Sequence, residues 1–409
     1  MTTNCGLALI LAPVPNFTVR GPTVDRAAVQ GTASLETMVD QRFSAAVYKS
    51  RLERAQELTA EAGLAALFIT PGPDLRYLTG SRASTFERLT ALVISPGRAP
   101  EVVVPRLELA ALRESAVGEL GLTVHDWVDG QDAYTLAVHA SGGAGNRYAV
   151  SDATPALHTV PLAERWGSAP ELATEVLREL RMIKDDAEIE ALRRAGAAID
   201  RVHARVWEWL KVGRTEREVA ADIDAAILAE GHTRAEFIIV GSGPNGADPH
   251  HEVSDRVIED GDMVVVDIGG PVQPGYNSDC TRTYCVGTAS DTIARQYEWL
   301  QQAQRAAVAA VRPGVTAEQI DAAARDVLAA AGLADKFVHR TGHGIGLSVH
   351  EEPYIVAGND IPLRAGMVFS IEPGIYFDGS WGARIEDIVV VTDDGCEAFN
   401  SQPHELKSV

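Results

Sequence analysis

Two predicted helices in this 409-residue chain open with the same device, 101 residues apart, and that repetition limits the folds available to its second half. Thr215 follows Val212-Gly213-Arg214 and is itself followed three positions on by Glu218; Thr316 follows Pro313-Gly314-Val315 and is followed three positions on by Gln319. Threonine with a Glu or Gln at that spacing satisfies the exposed N–H groups of a helix start. Behind each cap an apolar stripe runs at helical spacing, Val219, Ile223 and Ile227 up to Gly231, then Ile320, Ala324 and Val327 up to Gly332. The repeat continues into strands. Gly261-Asp262-Met263-Val264-Val265-Val266-Asp267 matches Gly366-Met367-Val368-Phe369-Ser370-Ile371-Glu372: a glycine, an apolar run, then a carboxylate. A third pair sets Asp279, in Ser278-Asp279-Cys280-Thr281-Arg282-Thr283, against Glu386, in Ala383-Arg384-Ile385-Glu386-Asp387. A pseudo-two-fold domain brings Asp267, Asp279, Glu372 and Glu386 to its centre. A carboxylate that ends a nearly continuous apolar run is buried, and a buried carboxylate needs a cation or a proton.

Val338 to Glu351 places His339, His343 and His350 within twelve residues, interleaved with glycines that let the backbone run close to a ligand. Four carboxylates and one imidazole suit two divalent cations held roughly 3.5–4 Å apart by bridging carboxylates. Oxygen-rich coordination favours manganese, with cobalt, zinc or iron as substitutes. A water between such ions is acidified to hydroxide near neutral pH, and neighbouring histidines supply hydrogen bonds or protons to a reacting carbonyl and leaving amine.

The first half reads differently. Helical spacing over Tyr48 to Ala62, Leu107 to Val117, Ala133 to Ser141 and Pro155 to Trp166 alternates with strand-like runs at Leu64 to Thr70, Leu89 to Ser95, Glu101 to Pro105, Leu122 to Trp127 and Arg147 to Ser151. That alternation predicts an α/β domain with a mixed sheet over residues 41–170. Asp74 to Gly80, with Arg82, reads as a polar, aromatic loop. A helical pattern from Ala169 to Leu210 breaks near Lys184-Asp185-Asp186, and Ile189, Leu192, Ala195, Ile199, Val202 and Val206 form one apolar stripe in its second part. Residues 1–40 show no periodicity and are expected to form a flexible arm, with Met38 as the natural start. A net charge of −21 argues against a nucleic-acid partner. No apolar run approaches a membrane span. Cys5, Cys280, Cys285 and Cys396 lack C-x-x-C spacing and read as free thiols of a reducing, cytoplasmic setting.

Asp267 and Asp279 in an Asp-x-Gly…Tyr-x-x-Asp-x-Thr-Arg-Thr frame, Gly342-His343-Gly344-Ile345-Gly346, Ser370-Ile371-Glu372-Pro373-Gly374 and Arg384-Ile385-Glu386-Asp387 together resemble the pita-bread metallopeptidases, over about residues 40–409. The likeness is greatest to the bacterial Xaa-Pro dipeptidases (prolidases), with aminopeptidase P next. It implies an α+β chain: a pseudo-two-fold pita-bread catalytic domain over 171–409, preceded by a smaller α/β domain of creatinase/prolidase type. It implies a dinuclear peptidase that cleaves Xaa-Pro dipeptides through a metal-bridging hydroxide, works on small proline-containing peptides and forms a homodimer. Carried over by position, Asp267, Asp279, His343, Glu372 and Glu386 are the metal ligands, Asp279 and Glu386 bridging. Glu372 is also the general base, His350 contacts the substrate carbonyl, His250 assists proton transfer, His339 lines the pocket and Arg384 steadies the ligands. His251 adjoins His250, and only motif position favours the latter. The turn Gly270 to Gly275 is one residue longer than in many relatives, which a hairpin absorbs.

Gly241-Ser242-Gly243-Pro244-Asn245-Gly246 matches G-x-G-x-x-G, but no apolar helix follows and a dinucleotide site is not expected. Strand alternation turns Cys280 away from its neighbour Asp279. The alternatives are aminopeptidase P acting on longer Xaa-Pro peptides and, in another class, a creatinase-like hydrolase without metals. The presence of all five ligands weighs against the second.

Overall fold

The computed structural model describes residues 42–84 and 87–409. The arm expected over residues 1–40, with Met38 and Cys5, lies outside them.

The first half holds α1 (Ala45–Glu61), β1 (Ala66–Ile69), α2 (Pro73–Thr79), β2 (Ala91–Ile94), β3 (Glu101–Pro105), α3 (Leu109–Arg113), β4 (Thr123–Trp127), α4 (Ala133–Ala140), β5 (Tyr148–Val150), α5 (Ala156–Trp166), β6 (Glu171–Leu172) and α6 (Thr174–Arg181). The strands form one mixed sheet in the order β4-β3-β2-β1-β5-β6. Its faces follow the two-residue period of a strand. Leu67, Ile69, Leu92, Ile94, Val102 and Val104 pack with Leu52, Ala55 and Leu58 of α1 and Val176, Leu177 and Leu180 of α6. Ala66, Phe68, Ala91, Val93 and Val103 face the other way, against Ala133, Ala137 and Val138 of α4 and Leu162 and Trp166 of α5. Both faces are covered, which is why these strands read as unbroken apolar runs.

Two expectations change here. Asp74 to Gly80 is not a loop: Pro73–Thr79 is a helix that buries Leu75, Tyr77 and Leu78 and closes on Gly80 at φ 72°. The helical pattern drawn from Ala169 begins as β6, which joins the first sheet, and α6 packs into the same core. The change of core comes between Leu180, in the first, and Met182, in the second.

The second half comprises α7 (Asp186–His203), α8 (Val206–Trp209), α9 (Glu216–Ala229), β7 (Phe237–Ser242), β8 (Met263–Val272), β9 (Tyr276–Cys285), α10 (Asp291–Ala310), α11 (Ala317–Ala330), β10 (Gly342–Gly344), β11 (Glu351–Ile355), β12 (Val368–Ile371), β13 (Gly374–Phe377), β14 (Trp381–Arg384), β15 (Asp387–Val391), β16 (Cys396–Ala398) and β17 (Lys407–Ser408). Its repeat is visible in matching pieces. The capping box of α9 is complete; in α11 Gln319 accepts from Thr316 N–H (3.0 Å) but Thr316 Oγ1 has no partner among the described residues, and the cap residues Thr215 and Thr316 each make an isolated bridge, to Val257 and Pro362. Residues from α7 and α9 cover a sheet ordered β17-β9-β8-β7, and residues from α10 and α11 pack on a sheet ordered β11-β10-β12-β15-β16. The two halves meet along a polar seam in which Glu386 N–H donates to Thr281 O (3.1 Å) and Thr283 Oγ1 donates to Arg384 O (2.9 Å). The 270–275 turn closes the β8–β9 hairpin with an unbroken register from Met263↔Cys285 to Val272↔Tyr276. No helix of the described residues is long and apolar enough to cross a membrane.

Candidate metal centre

A cavity of about 640 Å³ opens where the halves meet, and Asp267, Asp279, His343, Glu372, Glu386, His350, His250, His339 and Arg384 all line it. The residues predicted from sequence as ligands and helpers therefore converge, although they span 136 positions from His250 to Glu386 (386 − 250). Phe237, Ile239, Pro249, Arg340 and Val349 complete the wall.

Strand pairing delivers the acids. Asp267 sits in mid β8 between Ile239 of β7 and Thr281 of β9, and Asp279 faces Gly269 two steps along. The period-two rule puts Asp267, Asp279 and Thr281 on one face. Cys280 lies on the other, packed fully buried with Ile199 and Val202 of α7. Glu372 follows β12 directly, and Glu386 occupies the step between β14 and β15. His343 is carried by β10, which squeezes between β11 and β12. A Cβ on Gly342 would lie 1.8 Å from Ser370 O, and one on Gly344 2.2 Å from Glu352 O, so only glycine fits on either side of this histidine.

The electrostatics are those of a cation site. Asp279 and Glu386 are buried, and desolvation first, then repulsion from the neighbouring acids, pushes both carboxyls well above their ordinary range. Glu372 is raised to about 7, again by burial first, with Arg384 opposing. His343 is held neutral by burial and by the nearby His350, its pKa lowered to about 3. His343 Nδ1 donates to Gly344 O (3.1 Å), which leaves Nε2 as a lone-pair donor, 3.3 Å from Glu372 and 3.7 Å from Asp279. Ligand atoms of Asp279, His343 and Glu386 lie within 4.8 Å of one another. Asp267 Oδ1 is buried with no hydrogen-bond partner. An orphaned carboxylate oxygen beside three further acids and an imidazole lone pair fits divalent cations, and leaves few other ways to stabilise so much buried negative charge.

Supporting residues hold these groups. Arg384 donates to Asp267 Oδ2 (2.6 Å) and to the Tyr376 hydroxyl (2.7 Å). His339 uses both nitrogens, Nδ1 donating to Arg340 O (2.7 Å) and Nε2 accepting from Tyr376 (2.9 Å). Thr281 Oγ1 donates to Glu386 (2.7 Å), and Ser370 Oγ donates to Glu372 (3.1 Å) while accepting from His343 N–H (3.0 Å). His250 lines the cavity, whereas His251 turns away and binds Glu216 at 2.7 Å. His350 packs beside His343, ring centroids 4.0 Å apart. The segment behind it is tied down by charge: Glu351 pairs with Arg181 and Lys184, and Arg181 reaches Asp74 of α2 (2.7 Å) and Ser348 (2.8 Å). Glu216, Tyr376, Ser370, Thr281 and Glu351 were not singled out from sequence. Glu216, Tyr376 and Glu351 act through partners far along the chain, whereas Thr281, two residues past Asp279, and Ser370, two residues before Glu372, carried a local signal.

This fold and this cluster of acids and histidine define a metallohydrolase of two-domain, pita-bread type. The chain belongs to metallopeptidase family M24, matched over residues 190–393, and residues 51–183 match the creatinase/prolidase N-terminal domain. It is 66% identical over 369 residues to a protein named "Probable dipeptidase PepE" from Mycobacterium tuberculosis, covering 90% of this chain and 98% of that one. A protein named "Xaa-Pro dipeptidase" from Lactobacillus helveticus is 34% identical, over 88% and 98% of the two chains. The crystal structure of dipeptidase PepE from Mycobacterium ulcerans superposes with a TM-score of 0.88 at 66% identity, covering 90% and 99%.

Proposed function

We propose that this chain is a dinuclear metal-dependent dipeptidase that hydrolyses the peptide bond before proline. The observation that carries the reading is the single cavity in which four carboxylates and the Nε2 lone pair of His343 face one another. The dipeptidase names of the relatives support the substrate class.

Asp267, Asp279, His343, Glu372 and Glu386 would hold two divalent cations, which when bound would acidify a water and polarise the scissile carbonyl. The oxygen-rich donor set favours manganese, with cobalt or zinc able to replace it. Glu372, its carboxyl oriented by Ser370, takes the proton from the attacking water. His350 donates a hydrogen bond to the carbonyl oxygen as charge grows there. The C–N bond then breaks and the proline nitrogen receives a proton, delivered through His250 at the cavity wall. Arg384 keeps Asp267 in place, and Tyr376, fixed by His339, keeps Arg384 in place.

The catalytic unit in this reading is residues 182–409, with residues 42–181 as the supporting domain; the change of core between Leu180 and Met182 supports the division. The protein works in the cytoplasm as a homodimer. Cys280, Cys285 and Cys396 are free, as a reducing compartment requires. Light scattering of the purified protein tests the dimer.

The substrate assignment is tested by comparing Ala-Pro, Ala-Ala and a tripeptide with proline second, using metal-loaded protein. Ala-Pro should be turned over fastest. A preference for the tripeptide would reassign the chain as an aminopeptidase, and turnover of none would defeat the reading.

A further inference from the structure

Arg340 and Arg384 are the two arginines lining the cavity, and they differ in one respect. Arg384 is engaged at all three of its nitrogens, with Asp267 (2.6 Å), Tyr376 (2.7 Å), Thr281 (3.2 Å) and Pro249 O (3.3 Å). Arg340 is not. Among the described residues its guanidinium has no ion pair and no hydrogen bond, and its one recorded contact is the ring of Tyr354, 4.6 Å from the centroid. Tyr354 is set on β11 opposite His343, so the surface against which Arg340 stacks is fixed to the strand pair that carries the proposed ligand. A guanidinium held over an aromatic ring spends none of its N–H groups on a hydrogen bond there, so they stay available to an anion. Arg340 also stands three residues before His343 and lines the same cavity as His343, His350 and Glu372.

We propose that Arg340 binds the terminal carboxylate of the substrate and thereby selects dipeptides over longer peptides. The inference rests on the dipeptidase reading above and deepens it. In an Xaa-Pro dipeptide three bonds separate the scissile carbonyl carbon from the carboxylate carbon, a span of roughly 4 Å at most. Whatever recognises that carboxylate therefore lines the same cavity. Four acids occupy the same wall and repel a fifth, and the charge of Arg384 is already paired with one of them, Asp267. A tripeptide places a neutral amide where the carboxylate would be and carries its charge about 3.5 Å further on, so it forfeits the pairing. Binding of a carboxylate to one fixed guanidinium discriminates by leaving that guanidinium without its partner when the charge is absent.

The test compares kcat and KM for Ala-Pro and for Ala-Pro-amide, which lacks the terminal charge, in metal-loaded wild type, Arg340→Met and Arg340→Lys. Wild type should favour Ala-Pro by about 10- to 100-fold in kcat/KM. Arg340→Met should lose that preference through KM for Ala-Pro, with kcat within a few-fold and the amide unaffected, and Arg340→Lys should recover part of it. Melting temperature and metal content, unchanged in the variants, separate this from misfolding, and the lysine variant carries the test if the methionine variant fails to fold. If wild type does not cleave Ala-Pro, the dipeptidase reading falls. If it does and Arg340→Met still discriminates against the amide, or slows both substrates equally, the role of Arg340 is overturned while that reading stands.

Discussion

His251 Nε2 lies 2.7 Å from a carboxylate oxygen of Glu216, and Glu216 is completely buried at the start of α9. The same carboxylate accepts from Ser242 N–H (2.8 Å) and Oγ (2.7 Å), Ser254 N–H (3.1 Å) and Oγ (2.7 Å), and the Asn245 amide. These bonds outweigh its desolvation and hold its carboxyl below the ordinary value. One glutamate thus pins both ends of the 242–254 segment, and in taking His251 it leaves His250 facing the cavity.

Glu216→Gln removes the charge that organises this segment. Turnover of Ala-Pro should fall about 10- to 100-fold, the range seen when partners behind a site are lost. His250→Ala should be comparably slow, and His251→Gln milder. Steady-state kinetics on the three variants checks the order, and near-wild-type turnover in Glu216→Gln would remove its positioning role.

The ion cluster behind His350 predicts a stability effect. Lys184 is buried, and Glu351 and Arg181 are nearly so. Glu351→Ala leaves the buried Lys184 without its carboxylate, while Arg181 keeps Asp74, and should cost about 3 kcal/mol, the low end of the usual penalty for breaking a buried pair. Urea unfolding measures it; a loss under 1 kcal/mol would mean that water enters the cluster.

Tyr376→Phe removes the hydroxyl that bridges His339 and Arg384. Asp267 then loses the fixed orientation of its arginine, and kcat should drop about 10-fold with metal content retained. Equal activity would show that Asp267, Thr281 and Pro249 O suffice to hold Arg384.

Buried neutral histidines make the protein acid-sensitive. Burial first, then the charge of Arg282, lowers His203 to about 3, and burial lowers His232 to about 4. Their unfolded value is 6.5. Below pH 6.5 the unfolded chain binds protons that the folded chain refuses, so stability is lost as pH falls from 6.5 towards 4 and, for His203, towards 3. Each histidine contributes about 1.4 kcal/mol per pH unit in that window. Unfolding of His203→Gln and wild type at pH 7.5 and 5 should show a shallower loss in the variant; parallel losses would contradict the shift.

Much of this was legible in the sequence, for a physical reason. A buried acid must interrupt an apolar strand, so Asp267 and Glu372 announced themselves, and a repeat told which pairs to superpose. The glycines around His343 were legible because a close backbone approach admits no other residue. What escaped was long-range partnership. Glu216 reads as an ordinary first-turn helix acid until Ser242, Asn245, His251 and Ser254 fold around it. Helix α2 escaped because Pro71-Gly72-Pro73 reads as a loop, although proline at the first helical position and glycine after the last are the proper start and stop signals. Strand β6 escaped because it is only two residues long and exposed, with no apolar pattern to find.

The central claim is that Asp267, Asp279, His343, Glu372 and Glu386 hold catalytic cations. The direct measurement is elemental analysis of purified protein alongside Ala-Pro turnover, for wild type, Asp279→Ala and Glu386→Ala, before and after chelation. The account predicts about two divalent ions per chain in active wild type. It predicts loss of metal and turnover together in both variants and after chelation, and recovery of wild type on adding manganese. Full turnover by metal-free wild type, or variants that keep both ions, would contradict it.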